Sequence, residues 1–127
     1  MLPAGLPPTA PAQAPEGRFH HSGQIAAYAS LSAEGALVAI TRYLPDGPAR
    51  VLHRTLIVAA HVADHRGEAR ASAVWQDIRA GGAPAPTWAF SDAARAAGAQ
   101  AMLYSSRTRP ELTHIVMFDL TCLHHTP

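Results

Sequence analysis

Residues 17–30 read GRFHHSGQIAAYAS, a short polar segment between two glycines that is followed by an apolar run. Glycines allow the backbone to approach a ligand closely, and an arginine can hold a phosphate through two parallel charge-assisted hydrogen bonds. Tyr28 follows Arg18 and offers an aromatic face and a hydroxyl. The stretch predicts a polar loop that leads into a strand over residues 24–30. By itself it fits a loop that only turns the chain as well as one that binds an anion.

Composition limits what the chain can be. Its 127 residues, 48% of them hydrophobic, suffice for one domain with a core of ordinary size. A formal charge of +1, with scattered basic residues, argues against binding to nucleic acid. No apolar run approaches the roughly 18 residues of a membrane helix, so no membrane association is expected. The single cysteine, Cys122, suits a reducing compartment, and we expect a cytoplasmic protein.

The eight histidines raise the question of a metal site. Two adjacent pairs, His20-His21 and His124-His125, would point to opposite faces of a strand, so neither pair suits one ion. We therefore expect no metal. The second pair lies near the C-terminus and is predicted to fray.

The chain is expected to divide into three segments. Residues 1–15 contain five prolines and four alanines, which favours an extended arm laid over the domain or over a second subunit. Residues 16–120 are expected to form the domain, and residues 121–127 a tail.

The predicted elements alternate at first and then end in two successive strands. Ser32 is expected to cap a helix with Glu34 in its first turn and to be followed by a buried stripe at Ala36, Leu37, Ile40, Tyr43 and Leu44. Residues 45–48 (PDGP) should stop that helix. The later predicted elements are a strand over 51–59, helices over 72–79 and 93–97, and strands over 101–104 and 114–120. Ser91-Asp92 should cap the 93–97 helix and Gly98 should end it. Adjacent strands at the end favour a mixed α+β fold over a doubly wound parallel sheet.

Three segments taken together resemble the RES domain, named for its arginine, glutamate and serine. They are GRFH with Tyr28 and SAEGA at 32–36, then Trp75 with the loop 82–86 and Trp88, and finally SDAARAAGAQAMLYSSR at 91–107. The resemblance implies a single compact α+β domain, with a mixed sheet and flanking helices, related to ADP-ribosyltransferase toxins. It also implies chemistry on NAD as substrate: phosphorolysis or hydrolysis of the nicotinamide–ribose bond, or ADP-ribosyl transfer. Many members are toxins of bacterial toxin–antitoxin pairs, so an antitoxin partner or a homodimer is a further hypothesis.

Carried over position by position, the resemblance assigns a site. Arg18 matches the family arginine that holds the NAD phosphate, and Tyr28 matches the tyrosine that contacts the nucleotide. Ser105 matches the serine near the nicotinamide ribose. His20 is a candidate for contact with phosphate or ribose, although a solvated loop histidine is the alternative. Trp88 is a candidate wall of the base pocket, with core packing as its alternative.

The family glutamate is replaced in this chain. It lies about eleven residues beyond the tyrosine, which here is Ala39, and an upstream arginine that many members carry is also missing. Glu34 falls on another face of the predicted helix, whereas Glu68 or Asp77 would have to enter from a different segment. Two hypotheses follow: an NAD-cleaving enzyme, or a weak or inactive RES fold that serves as a binding or interaction module. A third, less favoured hypothesis is a histidine metal site.

Overall fold

The computed structural model describes residues 2–3, 11–12, 14–40, 50–51 and 55–125. The strands, in chain order, are β1 (Leu2–Pro3), β2 (Ala27–Ser30), β3 (Arg50–Val51), β4 (Thr55–Ile57), β5 (Val62–His65), β6 (Ala101–Ser105), β7 (Thr113–Met117) and β8 (Leu123–His125). The helices are α1 (Ala33–Ile40), α2 (Gln76–Ala80) and α3 (Trp88–Ala96), with 3₁₀ turns at Ala69–Ser72 and Leu120–Cys122.

The main sheet has the strand order β2-β7-β6-β5. β7 pairs antiparallel with both β2 and β6, while β5 pairs parallel with β6. The smaller pairs, β1 with β3 and β4 with β8, are antiparallel. A mixed sheet accompanied by helices is the α+β architecture that the sequence predicted.

Each face of the main sheet packs against its own hydrophobic cluster, because side chains alternate along every strand. One cluster contains Phe19, Met102, Tyr104 and Val116, and partly buried Tyr28 packs against it. The opposite cluster contains residues of β2, β6 and β7 together with Cys122 and Leu123. The 17–20 loop therefore covers the face that carries Tyr28 and Tyr104.

Two predicted helix ends are confirmed. The Ser32 hydroxyl accepts a hydrogen bond from the Gly35 amide at 3.0 Å and caps α1, which begins at Ala33. Gly98 has φ +84° and follows α3, a backbone conformation that a glycine adopts without a steric penalty. Ala36 is buried as expected, but the stripe beyond it and the stop at residues 45–48 lie outside the described side chains.

Other predicted boundaries are wrong. α3 begins at Trp88 rather than Ala93, because Ser91 and Asp92 are engaged inside the helix: the Ser91 hydroxyl donates to the Trp88 carbonyl and the Asp92 carboxylate pairs with His21. The helix predicted over 72–79 is a 3₁₀ turn followed by α2, which begins at Gln76.

Several strand predictions also need correction. The strand predicted from residue 24 begins at Ala27, because Gln24 belongs to a turn that its amide closes onto the His21 carbonyl. In place of the single strand predicted over 51–59, the described residues form two short strands, β3 and β4. β5 falls where no strand was predicted, and the strand predicted over 114–120 ends at Met117. The frayed end predicted for His124-His125 is wrong, because both residues pair with β4.

The described parts of the N-terminal segment contact the rest of the chain. β1 pairs with β3, and the Ala12 amide donates to the Ala26 carbonyl at 2.8 Å. No helix in the described residues is long and apolar enough to cross a membrane.

Candidate functional site

The loop that carries Arg18 is fixed by the start of α3. Gly17 and His20 form an isolated bridge, closed by a 2.9 Å hydrogen bond from the Gly17 amide to the His20 carbonyl. The Trp88 indole donates to the Gly17 carbonyl at 2.8 Å, and the Thr87 hydroxyl donates to the Arg18 carbonyl. Thr87 is the residue before α3 and is fully buried. Its hydroxyl thus serves the loop instead of capping the helix.

Arg95, near the end of α3, holds the other side of the same loop. Its guanidinium donates to the carbonyls of Phe19 at 2.8 Å and Ile25 at 3.1 Å, and to the Gln24 side chain at 3.1 Å. It also lies 4.2 Å from the centroid of the Phe118 ring. Arg95 therefore has a structural role, and hydrogen bonds from both ends of α3 fix the loop that carries Arg18.

Gly17 is needed for close approach. A Cβ atom at this position would lie 2.9 Å from the Tyr28 hydroxyl and would collide with the His20 ring. Any side chain there would push apart the residues that connect the loop to β2. The first glycine of the GRFHHSG stretch is therefore required by packing.

His20 and Tyr28 form one hydrogen-bonded chain. His20 Nε2 lies 2.8 Å from the Ala14 carbonyl, which can only accept, so the partners assign the proton to Nε2. In a neutral ring, Nδ1 then accepts from the Tyr28 hydroxyl at 2.7 Å, whose oxygen accepts from the Phe19 amide at 2.9 Å. His20 is 3% exposed, so the alternative of a solvated loop histidine is wrong. Both of its ring nitrogens have protein partners, and contact of His20 with a ligand stays a prediction.

Burial raises the pKa of Tyr28 to about 12, so its hydroxyl stays protonated in the physiological range. We expect Tyr28→Phe to lower the free energy of unfolding by about 1–3 kcal/mol, because the Phe19 amide and His20 lose their shared partner. Urea unfolding measures this change. A variant as stable as the original protein would contradict the role of the hydroxyl in fixing the loop.

A row of polar residues crosses the face of the main sheet that carries Tyr28. Ser30, His114 and Tyr104 are direct cross-strand neighbours in β2, β7 and β6. The His114 and Tyr104 rings are 5.4 Å apart between centroids, and His114 Nδ1 lies 3.1 Å from the Ser30 hydroxyl. That hydroxyl donates its proton to the Thr113 carbonyl at 3.2 Å, so Nδ1 must be the donor and Nε2 the unprotonated nitrogen of neutral His114.

Arg18 belongs to the loop that packs on this face of the sheet, because the ring of the next residue, Phe19, lies 4.7 Å from that of Tyr104 between centroids. Its Nη1 donates to the Ala73 carbonyl at 2.6 Å, and its positive charge acts on Tyr28, Tyr104 and His114. Burial first, and the Arg18 charge second, lower the pKa of His114. Burial raises the pKa of Tyr104 above its usual value. The arrangement combines a cation with neutral hydroxyl and imidazole groups.

The lowered pKa of His114 predicts a specific pH dependence of stability. As pH falls through about 6.5, the unfolded chain takes up a proton at His114 that the folded protein resists, so stability is lost toward acid pH. We expect His114→Asn to flatten the fall in urea midpoint between about pH 7.5 and about pH 5.5. His124→Asn, at an exposed position, is the control. Equal slopes in all three proteins would contradict the buried neutral state of His114.

Ser105 does not lie on the face of the sheet that carries Tyr104 and His114. It follows Tyr104 in β6, so alternation directs the two side chains to opposite sides of the sheet. Its hydroxyl accepts from the Gly67 amide at 2.9 Å, and its carbonyl accepts from the Ser72 hydroxyl at 2.5 Å. Ser106 is also buried, and its hydroxyl accepts from the Arg109 amide at 3.3 Å. The role of Ser105 beside a ribose stays a prediction.

Trp88 is buried beside the loop rather than open to solvent. The His21 ring stacks on it with centroids 4.3 Å apart, and the Arg79 guanidinium lies 5.3 Å from its ring centroid. Arg79 also pairs with Glu16 at 2.8 Å. Trp88 joins the loop, α2 and α3, and its role as a pocket wall stays a prediction.

None of the three acids considered as substitutes for the family glutamate is buried. Glu34 is 61% exposed and pairs with Arg109 at 3.1 Å, and Glu68 and Asp77 are also exposed. Within the described part of the chain, the buried polar side chains are histidines, serines and a threonine, with no acid among them. Ala39 lies in α1.

His61 and His65 have a spacing that suits one ion on a helix, but β5 holds this part of the chain extended, which separates the two residues. In the residues described here, no three His, Cys, Asp or Glu side chains gather closely enough to hold an ion.

Sequence patterns missed Ser30, Tyr104 and His114 as a group. Tyr104 and His114 fall in strands that were predicted, but their pairing depends on a register that the sequence does not state. The available signal was a polar residue inside each of two neighbouring apolar strands.

Comparison with protein families gives one match. The family model for the RES domain matches residues 4–126, nearly the whole chain. Neither the search of curated proteins nor that of solved structures gives a match.

Proposed function

The chain belongs to the RES domain family, and from that premise we propose that it binds NAD at Arg18 and cleaves the nicotinamide–ribose bond. The acceptor would be phosphate, water or a protein side chain. Arg18 would hold the phosphates, and Tyr28 would contact the nucleotide. Ser105 remains the family's candidate for the ribose contact.

One observation supports this proposal most directly. Arg18 sits in a loop fixed from both sides, and its charge acts on a buried face that carries Tyr28, Tyr104 and His114. A guanidinium suits a phosphate, and neutral hydroxyl and imidazole groups suit sugar hydroxyls. A site already held in place by α3 spends little entropy on ordering when a ligand binds.

The chemical step is expected to be slow. Cleavage of an N-glycosidic bond develops positive charge on the ribose, which a fixed negative group would stabilise. The described buried polar groups include no carboxylate, and Ala39 occupies the family's glutamate position. Loss of one such group typically costs about a hundred- to a thousandfold in rate. Activity weaker than that of a member with the glutamate is the expected consequence.

A second candidate function is a RES fold that binds a nucleotide or a protein without turnover. Ala39 is the observation that favours it. The toxin role, an antitoxin partner, a homodimer and a cytoplasmic location are further proposals from the family resemblance. Growth arrest on expression that Arg18→Ala relieves would support the toxin role. Unimpaired growth at high expression would count against it.

Calorimetry with NAD and with ADP-ribose tests the proposal. Binding of both ligands at submillimolar concentration is the expected result. Heat absent for both ligands at millimolar concentration would remove the nucleotide site, and with it both the enzyme and the nucleotide-binding module.

A further inference from the structure

Two buried polar atoms at the Arg18 site have no hydrogen-bond partner among the described residues. They are the hydroxyl of Tyr104 and Nε2 of His114, which belong to buried residues that are 7% and 6% exposed. The only hydrogen bond of the His114 ring within the described part of the chain is that of Nδ1 with Ser30. Buried polar groups are nearly always paired, so two exceptions on adjacent strands require an explanation.

The two atoms offer complementary chemistry. Tyr104 keeps its proton, so its hydroxyl is a donor, while the contact with Ser30 leaves His114 Nε2 as an acceptor. The residues are direct cross-strand partners with ring centroids 5.4 Å apart. A single group that accepts one hydrogen bond and donates another would satisfy both. A hydroxyl is such a group.

Arg18 restricts which hydroxyl fits. Arg18 directly precedes Phe19, whose ring centroid lies 4.7 Å from that of Tyr104, and its charge acts on both Tyr104 and His114. The ligand should therefore carry an anionic group close to its hydroxyl. A ribose next to a phosphate has this composition, whereas an isolated phosphate lacks the hydroxyl. We propose that Tyr104 and His114 bind a ribose hydroxyl of the nucleotide, with Tyr104 donating to its oxygen and His114 Nε2 accepting its proton.

This inference rests on the nucleotide site proposed above and adds two ribose contacts that the sequence did not indicate. It also distinguishes the two tyrosine hydroxyls by their partners in the protein. The Tyr28 hydroxyl has protein partners on both sides, whereas that of Tyr104 has none in the described chain. The same Tyr→Phe change should therefore have opposite effects on stability at the two positions.

Tyr104→Phe provides the test, because it removes one oxygen and keeps the aromatic ring. The centroid of that ring lies 4.7 Å from the centroid of the Phe19 ring. We expect the unfolding midpoint to rise by about 3–6 °C, since a buried unpaired hydroxyl is removed. The affinity for ADP-ribose should fall about tenfold, because one ligand hydrogen bond is lost. Tyr28→Phe is the matched control and should lower the midpoint. A fall in midpoint for Tyr104→Phe would overturn the inference.

Inorganic pyrophosphate is the second probe, because it offers phosphates without a ribose. Tyr104→Phe should leave its affinity unchanged, whereas Arg18→Ala should weaken it. Unchanged affinity of Tyr104→Phe for ADP-ribose, the result expected if ordered water occupies the gap, would overturn the inference and leave the nucleotide site intact. Equal losses for both probes would also overturn it. Failure of the original protein to bind ADP-ribose would remove the proposed function and the inference together.

Discussion

Ala39→Glu is expected to raise the rate of nicotinamide release from NAD by about a hundred- to a thousandfold. The change returns a carboxylate to α1, eleven residues beyond Tyr28, where the family carries its glutamate. A negative charge there would stabilise the positive charge that develops on the ribose as nicotinamide leaves. High-performance liquid chromatography of the nicotinamide released over time measures the rate.

Ala39→Gln is the matched control, because glutamine has nearly the same size without the charge. It should leave the rate close to that of the original protein. Glu34→Gln, at an exposed position in the same helix, should also have no effect. If the glutamine and glutamate variants raise the rate equally, or if a folded Ala39→Glu protein that binds ADP-ribose gains nothing, the electrostatic explanation is wrong.

Arg18→Ala is expected to weaken ADP-ribose binding by about ten- to a hundredfold, the value of a charge-assisted hydrogen bond to phosphate. Arg18→Lys keeps the charge but loses the planar guanidinium. Its affinity for ADP-ribose should therefore lie between those of the original protein and Arg18→Ala. Calorimetry gives the three dissociation constants.

Arg107→Ala is the control for overall charge, since Arg107 is an exposed arginine beyond β6. Because Arg18 also donates to the Ala73 carbonyl, thermal unfolding of Arg18→Ala must be recorded beside its affinity. An equal loss of affinity in both alanine variants would show that only general electrostatic attraction is involved. Full affinity in a folded Arg18→Ala protein would place the phosphate elsewhere.

Local signals predicted the features that depend on neighbouring residues. The Ser32 cap and the Gly98 end are confirmed because a hydroxyl near free amides and a glycine at positive φ act within one turn. The α+β class followed from two successive apolar strands at the end of the domain. These inferences needed no knowledge of distant contacts.

Features that depend on distant contacts could not be read in the same way. Ser91-Asp92 has the composition of a helix cap, yet Asp92 pairs with His21, more than seventy positions away along the chain. β5 is an edge strand in which exposed and half-buried residues alternate, so it lacks the apolar run that marks β6. Its partner strand lies beyond two helices.

The candidate site shows the same division. Arg18 and Tyr28 follow from the family resemblance. The structure brings them to one region, because the amide of Phe19, the residue after Arg18, donates to the Tyr28 hydroxyl. Ser105 was chosen by its position after a strand, but alternation places it opposite Tyr104. The row of Ser30, His114 and Tyr104 exists only because of the register of three strands, which is determined by tertiary packing.

Nicotinamide release by the purified protein distinguishes NAD cleavage from NAD binding alone. NAD is incubated with the original protein and with Arg18→Ala, each in the presence and absence of phosphate. We expect slow release that requires Arg18, and dependence on phosphate would identify phosphorolysis rather than hydrolysis. Intact NAD after prolonged incubation with a folded protein that binds ADP-ribose would contradict cleavage and leave a nucleotide-binding module.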